Sequence, residues 1–79
     1  MKELLEKALN GTIIGYVTGD KNSSQISFTT YDGDAPLLNE LVVLPDSSVY
    51  NCDSVIDVTT DDEREEGLSY VKVTLTKVK

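Results

Sequence analysis

The chain contains no histidine, no tryptophan and a single cysteine, Cys52, among its 79 residues. Without histidine, the usual zinc sites and the Ser-His and Cys-His catalytic pairs are excluded. One cysteine cannot form a disulfide within the chain, and no basic residue stands near it in sequence to lower the pKa of its thiol. We therefore interpret Cys52 as a buried structural residue, expect the core alone to hold the fold together, and expect a reducing, cytoplasmic setting.

Basic residues are also scarce, since seven lysines and arginines face 14 acids and give a net charge of -7. This charge repels phosphate backbones, so direct binding of DNA or RNA is not expected. The hydrophobic content of 39% is too high for an acidic disordered tail, and no apolar run is long enough for a membrane span. The N-terminus lacks the layout of a signal peptide. A chain of this length forms one small domain with little room for a catalytic cleft, so we expect a non-enzymatic protein without cofactors.

The sequence predicts one short helix followed by about five strands. An apolar stripe of Leu4, Leu5, Ala8 and Leu9 predicts an amphipathic helix over residues 2–10. Asn10-Gly11 ends this helix, with the glycine expected in the left-handed conformation. Patterns of β-branched and aromatic residues between turn signals predict strands over residues 12–18, 25–31, 38–44, 49–59 and 70–77.

Alternation of apolar and polar residues predicts that the second and fifth strands are half-buried. After Glu40, the residues of the third strand are apolar at odd and even positions alike, which predicts a central strand covered on both faces. Gly15 interrupts the first strand, where glycine is typical of a bulge or bend. Short spacing without crossover helices favours a small closed antiparallel β-barrel at residues 12–79, preceded by the helix and its cap at residues 1–11. The predicted inward-facing residues of the two alternating strands are Ile26, Phe28, Val71, Val73 and Leu75.

Acidic residues concentrate in the segment Asp61–Gly67, which has five acids, one base and no apolar side chain. Such a run predicts a solvated loop. Together with Asp57 it could bind a divalent cation weakly, but it lacks the spacing of a calcium-binding loop, so the solvated loop is favoured. Asp32 and Asp34 flank Gly33 and indicate a turn rather than a carboxylate pair for acid-base catalysis.

The five aromatic residues allow two interpretations. On a small barrel they could form a stacking platform for single-stranded nucleic acid. Because the chain offers no positive groove to accompany such a platform, packing in the core or at a protein interface is favoured. These residues are Tyr16, Phe28, Tyr31, Tyr50 and Tyr70.

The segment TIIGYVTG at residues 12–19, followed by a polar turn and Ile26-Ser27-Phe28, resembles the opening of the HAS barrel at the N-terminus of archaeal HerA DNA translocases. The continuation is also similar: Ala35-Pro36-Leu37 precedes ELVVL at residues 40–44, and VIDVT at residues 55–59 and YVKV at residues 70–73 fall where the family has its later strands. The resemblance spans residues 12–79. The N-terminal helix, residues 50–53 and the acidic run depart from the family pattern, and no G-x-x-x-x-G-K-[ST] motif is present, so motor activity cannot reside in this chain.

In that family the barrel joins neighbouring subunits of a hexameric ATPase, docks the nuclease NurA in DNA-end processing, and carries no catalytic residue. The resemblance therefore implies an assembly and docking module, either the N-terminal part of a HerA-like ATPase or a separate relative. Its partners would be HerA-type neighbours, including further copies of the chain, or a NurA-like nuclease. The loops would carry the contacts, and the candidate partner-binding residues are Asp20, Lys21, Asp32, Asp34, Asp61, Asp62, Glu63, Glu65 and Glu66.

A second hypothesis needs no family relationship. A free-standing small acidic protein, for instance of viral or plasmid origin, could inhibit a nucleic-acid enzyme by placing its Asp61–Glu66 run in the basic groove of that enzyme. This hypothesis predicts a monomer or dimer whose binding is strongly sensitive to salt. The docking hypothesis predicts self-association or nuclease binding instead, and the sequence leaves both open.

Overall fold

The computed structural model describes residues 2–18 and 24–78, and for residues 16–18 it describes the backbone alone. None of the helices in this part of the chain has the length and apolar character needed to span a membrane. The elements in chain order are α1 (Lys2–Leu9), β1 (Ile13–Thr18), β2 (Gln25–Tyr31), a 3-10 turn (Asp32–Asp34), β3 (Leu41–Val43), β4 (Val49–Asp57), α2 (Asp61–Glu65) and β5 (Tyr70–Lys77).

The five strands form one antiparallel sheet in the order β1-β2-β5-β4-β3. Strand β5 lies at the centre and pairs with β2 from Gln25 opposite Thr76 to Tyr31 opposite Tyr70. On its other side β5 pairs with β4, across a bulge between Cys52 and Ser54. The predicted mostly-β fold with a short N-terminal helix is confirmed. The sheet is open, with β1 and β3 as its edges, so the closed barrel is not seen.

One face of the sheet carries the hydrophobic core, to which all five strands and α1 contribute. Removing these apolar side chains from water is the main source of stability in a fold of this size. Thr30 is also buried, and its hydroxyl donates to the Thr12 carbonyl at 2.8 Å. The inward pattern predicted for β2 and β5 and the burial predicted for Cys52 are confirmed. The buried apolar residues are Leu5, Ile13, Ile26, Phe28, Val42, Leu44, Tyr50, Cys52, Val71, Val73 and Leu75.

Helix α1 uses its predicted apolar stripe to cover this core. Leu5 is fully buried, and Leu4, Ala8 and Leu9 pack against the core while remaining partly accessible. The helix does not end as predicted, because Asn10 rather than Gly11 takes the left-handed conformation, with φ of 55°. Asparagine tolerates this region better than most residues. Gly11 is required for a different reason, because a Cβ at this position would lie 2.5 Å from Cγ of Asp34.

The prediction that the third strand is central was wrong. Strand β3 has only three residues and lies at the edge of the sheet. Val42 and Leu44 face the core, whereas Leu41 and Val43 point to solvent with 59% and 61% of their surfaces exposed. The uninterrupted apolar run of β3 therefore combines one buried face with one exposed apolar face.

The acidic run is not a loop, because its first part forms the short helix α2. The Thr60 hydroxyl accepts a hydrogen bond from the Glu63 N–H at 3.2 Å, and the Glu63 carboxylate accepts one from the Thr60 N–H at 2.7 Å. This capping box, together with acids in the first turn beside the positive end of the helix dipole, stabilises the helix. The segment is nevertheless solvated, since none of the α2 residues is fully buried.

Candidate functional site

Two of the three acidic segments proposed from the sequence lie at the same end of the sheet. Asp32 begins the turn after β2, and its N–H donates to the carbonyl of Ser69 at 3.0 Å, between α2 and β5. This bond places Asp32 beside the segment that joins α2 to β5, and we call Asp32, Asp34 and α2 together the acidic end. Asp20 and Lys21 lie outside the described residues.

The acids of α2 differ in how much they are available to a partner. Glu63 is half-buried and engaged in the capping box, whereas four others are exposed. Arg64 pairs with Asp57 at 2.9 Å, but both side chains are more than half exposed, so this ion pair contributes little to stability. Hydrogen bonding by the side chain and backbone of Thr59 holds the pKa of Asp57 below its usual value, with a smaller contribution from Arg64. The exposed acids are Asp61, Asp62, Glu65 and Glu66.

The aromatic residues are divided between the core and the acidic end. Phe28 and Tyr50 are buried, as the packing interpretation predicts. Tyr31 and Tyr70 face each other across β2 and β5 with ring centroids 5.3 Å apart and planes tilted by 41°. Desolvation, followed by the neighbouring Tyr31, raises the pKa of Tyr70. The side chain of Tyr16 is not described, and the described aromatic side chains do not gather into one stacking platform.

Neither metal binding nor thiol chemistry gains support from the geometry. Within residues 2–18 and 24–78, no three acidic or cysteine side chains come close enough together to hold a metal ion. Cys52 is fully buried, and desolvation raises the pKa of its thiol. A buried thiol with a raised pKa is a poor nucleophile.

The surface that sequence reasoning missed is the outer edge of β3 with the turn before it. Leu37 and Leu38 in this turn are 73% and 60% exposed, comparable with Leu41 and Val43 in the strand. We call these four residues the apolar edge. The signal that could have revealed it is the same apolar run that suggested a central strand.

The backbone of the apolar edge is also available for hydrogen bonding. Bonds to β4 fall on alternate residues: Cys52 donates to the Glu40 carbonyl and Leu44 donates to the Ser48 carbonyl, each at 2.9 Å. Because antiparallel pairs alternate in this way, the N–H and C=O groups of Leu41 and Val43 point away from β4. In the described part of the chain, β3 pairs with no strand other than β4.

Acidic residues flank the apolar edge. Glu40 directly precedes β3, Asp46 lies in the turn after it, and Asp53 lies at the bulge of β4. The Ser48 N–H, 3.0 Å from the Asp46 carboxylate, is the main cause that lowers the pKa of Asp46. Hydrogen bonds from the Thr76 hydroxyl and the Asn51 amide lower the pKa of Asp53. The edge therefore lies in a negative field at neutral pH.

No protein-family model, curated protein or solved structure matches this chain. A functional interpretation therefore depends on the molecule's own surfaces. Two of them stand out: the acidic end, which the sequence proposed, and the apolar edge, which it did not.

Proposed function

We propose that this chain is a non-catalytic protein–protein association module. The observation that carries the proposal is the apolar edge, where four exposed leucine and valine side chains lie in β3 or in the turn before it, and where β3 pairs within the described residues with β4 alone. Natural sheets protect their edges with short strands, charged residues, proline or bulges; β3 is short, but its three residues include no charge, no proline and no bulge. Grouped exposed apolar side chains are typical of interaction sites. Support for a non-catalytic role comes from the lack of histidine and the burial of Cys52.

The resemblance to HAS barrels defines the partners to test first. These are the neighbouring subunits of a HerA-type ATPase, further copies of this chain, and a NurA-like nuclease acting at DNA ends in the cytoplasm. Closure into a barrel is the alternative use of this edge, because closure would join β1 to β3 and leave no place there for a partner strand. The acidic end would then supply additional contacts through Asp32 and α2.

The test is affinity capture by the full chain from a lysate of its native host, with mass spectrometry of the retained proteins. A variant with Leu41→Lys and Val43→Lys places charges on the apolar edge, and Ile56→Lys is the matched control. Ile56 is also exposed on a strand, at 54%, but lies towards the other end of β4. We expect partners to be retained by the wild type and the control and lost by the double variant. Equal retention by all three, or no specific retention by any, would contradict the proposal.

A second candidate function is inhibition of a nucleic-acid enzyme by charge mimicry. The observation that favours it is the exposure of four carboxylates, three on the short helix α2 and one on Glu66 directly after it, with Asp32 at the same end of the sheet. We propose to test it with a variant that neutralises these four acids. If this function holds, the captured protein is a basic enzyme that is released by salt, lost by the neutralised variant and retained by the β3 double variant. The opposite dependence supports the association module. The four acids are Asp61, Asp62, Glu65 and Glu66.

A further inference from the structure

We infer that β3 receives an extended segment of a partner protein as an added strand, and that this segment has apolar residues at alternate positions and basic residues at its ends. The inference rests on the proposed function and specifies how the partner binds. It is carried by the direction of the backbone groups of Leu41 and Val43, the exposure of their side chains, and the acids around them.

The backbone geometry fixes the mode of binding. Leu41 and Val43 each direct one N–H and one C=O outward, and residues two apart in a strand are about 7 Å from each other. An incoming antiparallel strand presents its own hydrogen-bonding groups at the same spacing, so two of its residues can each form a pair of bonds with this edge. The ladder is short, because Pro45 has no N–H to offer at the next outward position.

The side chains define the composition of the incoming strand. Leu41 and Val43 project on the same face of the sheet, and the residues paired with them would project there too. Burial of the two exposed apolar side chains is favoured only if these incoming residues are themselves apolar. Leu37 and Leu38 are also exposed, in the turn that precedes β3.

The charges around β3 select basic residues at the ends of the segment. Glu40 and Asp46 lie before and after the strand, and Asp53 lies on the neighbouring strand; Lys77 acts on Asp46, as the smallest of the causes that lower its pKa. The net charge of -7 adds an attraction for cationic partners at longer range. Basic ends therefore improve both the rate of association and the specificity.

The same charges disfavour a second copy of the chain as the occupant. Antiparallel self-pairing centred on Val42 would set Glu40 opposite Leu44 of the other copy, and so within two residues of its Asp46, twice by symmetry. It would also set Pro45 opposite Asn39, where one backbone bond cannot form. We therefore expect the free chain to be monomeric.

The test uses a short synthetic peptide in which valine and threonine alternate and lysines stand at both ends, titrated into the full chain by calorimetry. Val43→Pro removes the outward N–H without touching a bond to β4, and Val43→Thr keeps that N–H as the matched control. We expect binding to the wild type, about fivefold weaker binding to Val43→Pro, and binding within about twofold of wild type for Val43→Thr, since a lost hydrogen bond of about 1 kcal/mol corresponds to about fivefold in affinity. Glutamates in place of the lysines should weaken binding by at least about tenfold.

Each alternative outcome overturns a defined part of the inference. Equal binding to the wild type and Val43→Pro, or no binding of the peptide, would overturn strand addition. Equal binding of the glutamate-ended peptide would overturn the selection for basic ends. Dimerisation of the free chain, seen by sedimentation and lost in Val43→Pro, would make a second copy the occupant. If strand addition fails while capture from the lysate still depends on the Leu41 and Val43 side chains, the association function stands without this mode of binding.

Discussion

The two edges of the sheet are built in opposite ways. Strand β1 has six residues, and its register with β2 shifts twice. At its start the Ile13 N–H donates a hydrogen bond to the Glu6 carboxylate of α1 at 3.4 Å. Strand β3 has three residues, and its register with β4 runs without a shift. Bulges and a covering helix are the usual means of preventing unwanted strand pairing. Strand β1 is thus protected in ways that β3 is not, and this difference favours β3 over β1 as the edge for the proposed partner.

The first irregularity of β1 lies next to Gly15, where the sequence predicted a bulge or bend. The register shifts between Ile13 and Gly15, and that prediction is confirmed. Helix α1 lies beside β1 because Leu5 is fully buried in the core and Gly11 allows the connection to approach Asp34 closely. Protection of this edge therefore depends on a small number of contacts that can be removed one at a time.

The largest expected effect comes from releasing α1. Leu5→Ala removes a fully buried side chain and should lower the free energy of unfolding by about 2–5 kcal/mol. Leu37→Ala, at a side chain 73% exposed beside β3, should change it by less than about 0.5 kcal/mol. Urea denaturation measures both. Similar losses in the two variants would mean that the two edges do not differ in the way described.

The next effect concerns the connection between α1 and β1. Gly11→Ala places a Cβ within 2.5 Å of the Asp34 side chain and should cost about 1–3 kcal/mol through overpacking. Gly33→Ala is the matched control, because nothing lies within 4 Å of a Cβ at that position and the change should stay within about 0.5 kcal/mol. The same denaturation experiment compares them. A neutral Gly11→Ala would show that the approach to Asp34 does not hold α1 in place.

A smaller effect is expected from removing the cover of the Ile13 N–H. Glu6→Ala deletes the acceptor of this part-buried bond and should cost about 1 kcal/mol. Glu3→Ala on the exposed face of the same helix is the control and should cost less than about 0.5 kcal/mol. Amide hydrogen exchange should show faster exchange at Ile13 in the first variant alone. Unchanged exchange at Ile13 would show that the Glu6 carboxylate does not protect this edge.

The smallest effect is the response of the β3 side to acid. Asp46, Asp53 and Asp57 have pKa values below their ordinary value because their carboxylates accept hydrogen bonds, and all three lie in β4 or the turn before it. A lowered pKa in the folded state stabilises the fold above the ordinary pKa, and this stabilisation is lost as the pH falls through the lowered value. Between about pH 5 and pH 2, amides of the β3–β4 hairpin should therefore lose protection before those of β1 and β2. The reverse order would contradict this assignment.

The elements that the sequence predicted well are those in which burial alternates strictly. In β2 and β5 the buried residues are those at every second position, so period-two patterning identified both the strands and their inward faces. The amphipathic stripe identified α1 for the same reason, at helical spacing. In each case the large apolar residues that alternate with polar ones face the core; Thr30 is a polar residue on the buried side, where its hydroxyl donates to the Thr12 carbonyl.

The predictions failed where apolar residues have another purpose or where local hydrogen bonds decide the structure. The apolar pattern of β3 arises from one buried and one exposed face, which a sequence cannot distinguish from burial on both faces. Helix α2 has no apolar stripe and depends on the Thr60–Glu63 capping box. The left-handed residue after α1 is Asn10, because Gly11 is required for the contact with Asp34. The apolar edge was missed because the exposed apolar face of β3 was interpreted as a second buried face.

The most direct test of the central claim, that a partner pairs with β3 and not with β1, is residue-resolved amide hydrogen exchange with and without the lysine-ended peptide. The account predicts slower exchange at Leu41 and Val43 in the bound state, since their outward N–H groups become hydrogen-bonded, and unchanged exchange along β1. Bound peptide with slower exchange at β1 or at the acidic end, and none at Leu41 and Val43, would contradict it.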